Sequence, residues 1–105
     1  MPVAFIQEFR IENGDHSTTN YDAVAERLRG VIPDGGLIHT AGFDDDAGVF
    51  RIFDVWETRE QGERFMQEQL EPILGEMMAS NPDLQPPTRE GWYELHDVMA
   101  GVVTA

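Results

Sequence analysis

The chain has 105 residues, 41% hydrophobic and 26% charged, enough for one domain with a real core and too few for a second. Twenty acidic against seven basic residues give a formal charge of −13, which repels phosphate backbones and anionic bilayers, so neither nucleic acid nor membrane is an expected partner. Cysteine is absent, which excludes disulfides, thiol nucleophiles and thiolate metal sites. No apolar run approaches the ~20 residues that span a bilayer, and the N-terminus lacks a basic signal region, so a cytoplasmic location is expected.

Val3 to Ile11 alternates Val3, Phe5, Gln7, Phe9, Ile11 against Ala4, Ile6, Glu8, Arg10, the period of a strand. Asn13-Gly14-Asp15 breaks it, and Thr19 with Asp22 resembles a capping box with Asp in place of Glu. Tyr21, Val24, Ala25, Leu28 and Ile32 recur at helical spacing, which predicts an amphipathic helix over 20–31, stopped by Pro33-Asp34-Gly35-Gly36. Leu37 to Phe43 and Val49 to Trp56 flank the turn Asp44-Asp45-Asp46-Ala47-Gly48, a predicted β-hairpin.

Thr58-Arg59-Glu60-Gln61 is a capping box for a second helix whose apolar positions include Phe65, Met66, Leu70, Ile73 and Leu74. Pro72 cannot donate to the carbonyl of Glu68, so a kink or break is expected there. Gly91 to Val98 reads as a final strand, closing a single domain over 1–98, with Met99 to Ala105 as a small apolar tail. The β-α-β-β-α-β order is the α+β ferredoxin-like arrangement, a four-stranded antiparallel sheet with both helices on one face. All four strands are apolar on both phases, so the uncovered face calls for a partner. The simplest is a second copy, giving a homodimer whose facing sheets enclose a cavity.

His39-Thr40-Ala41-Gly42, then Phe53-Asp54-Val55-Trp56-Glu57-Thr58, then Phe65, Leu70 and Pro72 resemble the dimeric α/β-barrel superfamily that includes the antibiotic-biosynthesis monooxygenases. That resemblance implies the ferredoxin-like fold, a homodimer and a cavity for a small apolar or aromatic molecule. It is weakly specific for activity, because the superfamily spans cofactor-independent oxygenases, haem degraders, isomerases and dehalogenases.

His39 shares a phase with Leu37, Ala41 and Phe43, and a histidine there is either locked in a core or presented to a pocket; the residues alone favour the core and the resemblance favours the pocket. Asp54 shares a phase with Phe50, Ile52 and Trp56, where an unpaired carboxylate would cost several kcal/mol. It is either the orienter of a basic His39 or a structural partner for Arg10 or Arg51. Trp56 either plugs the core or, as the resemblance implies, walls a substrate cavity with an indole N–H for a phenol oxygen.

His96, with Glu94, reads as a second acid/base pair or as solvent-facing residues of an edge strand; His16 reads as solvated. Phe43 and Phe65 complete the expected substrate contacts beside Trp56 and His96. Metal spacing is poor, the Asp44–Asp46 run lacks the ligand ladder of a calcium loop, and no Gly-rich phosphate loop occurs. Residues 58–80 contain no histidine, whereas the haem degraders of the superfamily that the chain resembles hold iron with a histidine on the second helix, so no cofactor is expected. The expected function is cofactor-independent oxygenation of a small aromatic or polyketide-like molecule, with His39 as base and Asp54 as its orienter. Alternatives are a cyclase or isomerase using the same base, or a non-catalytic ligand-binding or structural dimer.

Overall fold

The computed structural model describes residues 1–99. It runs β1 (Val3–Arg10), α1 (Thr19–Arg27), β2 (Gly36–Asp44), β3 (Val49–Trp56), α2 (Arg59–Phe65), α3 (Glu71–Ser80) and β4 (Arg89–Glu94). The strands form one four-stranded antiparallel sheet in the order β2-β3-β1-β4. This is the expected α+β ferredoxin-like topology. Residues 100–105 of the expected tail lie outside the described residues. Among those described, no helix is long and apolar enough to cross a membrane.

Local chemistry explains most boundaries. Asp44 accepts the Ala47 N–H at 3.1 Å and Gly48 takes φ +70°, closing the hairpin turn. Thr58 accepts the Gln61 N–H at 3.1 Å, the expected helix cap. The break at Pro72 takes the form of a π turn over Met66–Leu70, in which the Glu71 N–H reaches back to the carbonyl of Met66. Pro72 then opens α3, where its missing N–H is no loss.

Three boundaries differ from expectation. The first helix ends at Arg27, because Gly30 turns the chain at φ +82°; Ile32, assigned to its apolar stripe, is instead 92% exposed. Its N-cap is Thr18, and Asp22 accepts from the Thr18 hydroxyl at 2.8 Å rather than from a backbone N–H. The last strand covers 89–94 instead of 91–98, since β1 offers partners only from Val3, opposite Glu94, to Glu8, opposite Arg89.

Cross-strand partners share a face, so the register sorts the sheet into two. Val3 and Phe5, His39 and Phe43, Phe50, Asp54 and Trp56, and Trp92 lie on one face. The helices cover that face: Phe65 and Met66 pack on the core of Val3, Phe5 and Trp56, and Tyr21 of α1 meets Phe50 edge-on at 5.6 Å. Ala4, Ile6 and Glu8, Arg51, Phe53 and Val55 occupy the opposite face. There Arg51 donates to Glu8 at 2.6 Å and to Asp44 at 2.8 Å, and its guanidinium holds the Asp44 carboxyl below the usual range.

Layer spacing is set at Gly62. A Cβ there would stand 2.5 Å from the Trp92 ring and 3.1 Å from Trp56, two rigid groups that cannot both step aside. Gly62→Ala is expected to lower stability by about 1–3 kcal/mol through overpacking, against the ~1 kcal/mol helix preference of alanine. Urea denaturation reads this directly, and unchanged stability would mean that the indoles repack freely.

Candidate active site

The hairpin register sets His39 directly opposite Asp54. His39 Nδ1 lies 2.5 Å from Asp54 Oδ1. The carboxylate accepts, so Nδ1 carries the proton and Nε2 presents its lone pair. That lone pair meets the Tyr21 hydroxyl at 2.6 Å, with the phenol and imidazole rings parallel to within 3°. Tyr21, His39 and Asp54 thus form a continuous relay from helix α1 to the centre of the sheet.

Burial is graded along the relay: the Asp54 side chain is 17% exposed and that of His39 58%. The hydrogen bond that His39 donates to Asp54 raises the His39 pKa above its ordinary value, against an opposing effect of burial. Burial first, then the negative charges of Asp54 and Asp22, raises the Tyr21 phenol. Tyr21 therefore remains an O–H donor at neutral pH, while neutral His39 is a base oriented by a carboxylate.

Asp54 does not pair with either arginine, since Arg10 and Arg51 project from the opposite face. Trp56, 4% exposed, lies two residues along the same face, with Phe65 over it at a centroid distance of 5.4 Å. Among the described residues its indole N–H is buried without a hydrogen-bond partner, a condition that costs about 1–3 kcal/mol. The expected cavity between two sheets is thus misplaced for these side chains: His39, Asp54 and Trp56 face the helices. The hydrophobic alternation of the strands did not reveal which phase the helices would cover.

The remaining expected residues divide. Phe65 joins Trp56. Phe43 shares the face but packs on Phe50 at 4.8 Å and His16 at 4.6 Å, away from the relay. His96 lies past the end of β4, exposed, at the sheet edge opposite β2, so it does not join His39 and Asp54. His16 is bound rather than merely solvated: its ring nitrogens reach Asp45 at 2.6 Å and the carbonyl of Gly14 at 2.8 Å. Both contacts raise its pKa, the Asp45 bond most. Tyr21 went unrecognised in the sequence; its position in an apolar helical stripe was the only signal.

Among the described residues no three His, Asp or Glu groups come together as a metal site. All seven basic residues are arginines and cysteine is absent, so side-chain amine and thiol nucleophiles are missing. Chemistry falls to imidazole, phenol, carboxylate and indole N–H.

No protein-family profile and no curated protein matches this chain. Solved structures that share its fold include the following three. A candidate antibiotic biosynthesis monooxygenase from Chloroflexus aurantiacus J-10-fl is 16% identical with a TM-score of 0.63, over 95% of this chain and 98% of that one. A mutant of SnoaB, a cofactor-independent oxygenase from Streptomyces nogalater, is 15% identical with a TM-score of 0.61, over 95% and 98%. Rv0793 from Mycobacterium tuberculosis is 17% identical with a TM-score of 0.59, over 97% and 100%. At these identities the likeness shows the fold alone.

Proposed function

We propose that the protein is a cofactor-independent oxygenase acting on a small aromatic or polyketide-like molecule held between helices and sheet. The Tyr21–His39–Asp54 relay carries this reading, because it supplies a carboxylate-oriented base beside an apolar wall with a free indole donor. The fold shared with a cofactor-independent oxygenase is consistent with it. In the proposed reaction His39 Nε2, released from Tyr21, takes the proton of a phenol. The electron-rich ring passes an electron to O₂, and recombination at the para carbon gives a hydroperoxide. Loss of water leaves the quinone, so one phenol and one O₂ become one quinone and one water. The substrate is the reductant, and the His39 proton returns to the departing oxygen.

An oxygen electrode tests the proposal with a panel of phenols and polyketide-like enols. Oxygen uptake matched by quinone absorbance supports it. Proton exchange or ring closure without uptake would assign the same base to an isomerase or cyclase, and inertness toward the whole panel would favour a binding protein.

A homodimer and a cytoplasmic location belong to the same proposal, the second supported by the strongly charged composition. On the face opposite the helices, Thr40, Gly42, Asp44, Arg51 and Phe53 help line a groove of ≈ 280 Å³, and Tyr93 is 48% exposed. A two-fold pairing of these faces would cover them. Light scattering at micromolar concentration is expected to give twice the chain mass; a monomer would reject the pairing.

A further inference from the structure

Asn13 takes φ +52°, and no other described residue apart from glycine has a positive φ. Gly14 follows at +71°, and the Asp15 N–H donates to the Glu12 carbonyl at 2.8 Å. Two positive φ values inside that bond make a type I′ turn, for which Asn-Gly is a favoured pair. Glu12, Asn13, Gly14 and Asp15 are all exposed, and the space beside the Gly14 α-carbon is open. Among the described residues neither the Asn13 carboxamide nor the Gly14 N–H makes a hydrogen bond. An unhindered amide nitrogen thus follows a carboxamide on which it can close a five-membered ring. The other asparagines each lack a condition for that closure. Asn20 is fixed in α1 and precedes the bulky Tyr21, and Asn81 precedes Pro82, whose nitrogen carries no proton.

The same turn ties two loops together. His16 Nδ1 lies 2.8 Å from the Gly14 carbonyl and Nε2 2.6 Å from Asp45 in the hairpin turn, two acceptors that call for a proton on each nitrogen. The imidazolium therefore joins the loop before α1 to the β2–β3 turn. All of these contacts are exposed, so the turn opens locally at low cost. Opening lets Asn13 rotate about ψ and bring Cγ onto the Gly14 nitrogen.

We propose that Asn13 is a site of spontaneous deamidation, which converts it to aspartate and isoaspartate and, in the isoaspartyl chain, releases the His16 tie. The Gly14 nitrogen attacks Asn13 Cγ; the new C–N bond forms as the Cγ–Nδ2 bond breaks, and the Gly14 proton leaves with the departing ammonia. Water then opens the cyclic imide. Attack at Cγ gives aspartate, whereas attack at the Asn13 carbonyl carbon leaves the main chain running through Cγ as isoaspartate. One asparagine and one water become one acid and one ammonia, with no change of oxidation state. Either product adds one negative charge to the formal −13. Isoaspartate also lengthens the main chain by one carbon inside the turn, which moves the Gly14 carbonyl off His16 and frees Asp45.

The full-length chain, kept for days in native buffer at mildly alkaline pH and body temperature, is expected to gain one mass unit per molecule and to release ammonia. Fragmentation of the peptide from Ile11 to Arg27 should place the gain on residue 13, with Asn20 and Asn81 unchanged. Gly14→Ala should slow the gain at least about tenfold, because a methyl group crowds the attacking nitrogen whether or not the turn keeps its form. Asn13→Asp should show no gain at all. In ¹H–¹⁵N spectra the isoaspartyl chain should differ from the fresh chain at residues 44–48 as well as at 12–16, since His16 no longer holds Asp45. No gain in native buffer, whatever happens in urea, would show that the turn protects Asn13 and would overturn the site. An equal gain at Asn20, or an undiminished rate in Gly14→Ala, would do the same. Spectral changes confined to 12–16 would overturn the link to the hairpin turn.

Discussion

Replacing His39 with asparagine is expected to lower kcat/KM for oxygen uptake by about 10²–10⁴, the usual contribution of a positioned base. Asparagine is the informative choice because its amide can still donate to Asp54, so the carboxylate in the sheet is not left unpaired. With the His39 side chain 58% exposed, the melting temperature should change little. Unchanged turnover in the folded variant would remove His39 from the chemistry and make the relay a packing device. The pH profile gives a second readout. Because Asp54 raises the His39 pKa, neutral base accumulates only as pH rises through a midpoint above about 6.5, and kcat/KM should rise with it. Asp54→Asn removes the charge and should move that midpoint down. Stability runs the other way: the protonated pair contributes fully below about pH 6.5, the unfolded value, and the contribution is lost as pH rises through the higher folded pKa. A midpoint that ignores Asp54→Asn would separate the two residues functionally.

Phe5→Ala should produce the largest loss of stability, about 3–5 kcal/mol. Phe5 is 1% exposed and the largest fully buried side chain, stacked on Trp92 at 4.3 Å and paired across the sheet with Asp54. Truncation removes the ring contact between Phe5 and Trp92 and leaves a void that the central strand cannot close. At roughly 4–8 °C per kcal/mol for a domain of this size, the melting temperature should fall by 12 °C or more. Calorimetry with urea denaturation measures it. A loss near 1 kcal/mol would mean that the helices settle onto the sheet, and that the layer under the relay is deformable. Because Phe5 lies beside Asp54 on the same face, the variant should also admit water to the carboxylate and weaken its hold on His39.

The placing of His39 and Asp54 on neighbouring strands was legible in the sequence, although an arginine partner for Asp54 fitted the residues equally well. The turn fixes Asp44 opposite Val49, and each member of the pair lies five residues from its end of the turn. A hairpin with known turn length has only one register, so the pairing is a local consequence. Tyr21 was not legible in that way. It reaches His39 from 18 residues away in sequence, and which strand α1 crosses depends on how a whole helix seats on the sheet. His96 illustrates the converse: its alternation with Trp92 and Glu94 continues the strand pattern, but pairing stops where β1 begins, and nothing local marks that end.

The sequence by itself determined the element order, the hairpin, the Thr58 cap and the break at Pro72, and it set a histidine and an aspartate on adjacent strands. Each of these follows from steric and hydrogen-bonding preferences acting over a few residues. Only the tertiary structure decided that this pair faces the helices, that Tyr21 completes it, that Arg51 belongs to the opposite face, and that Trp56 buries a donor. Both phases of the strands are apolar enough to be buried, so alternation leaves the choice of face degenerate. Packing two layers around Gly62 and Phe5 lifts that degeneracy through many small contacts summed across the chain, which no local pattern encodes.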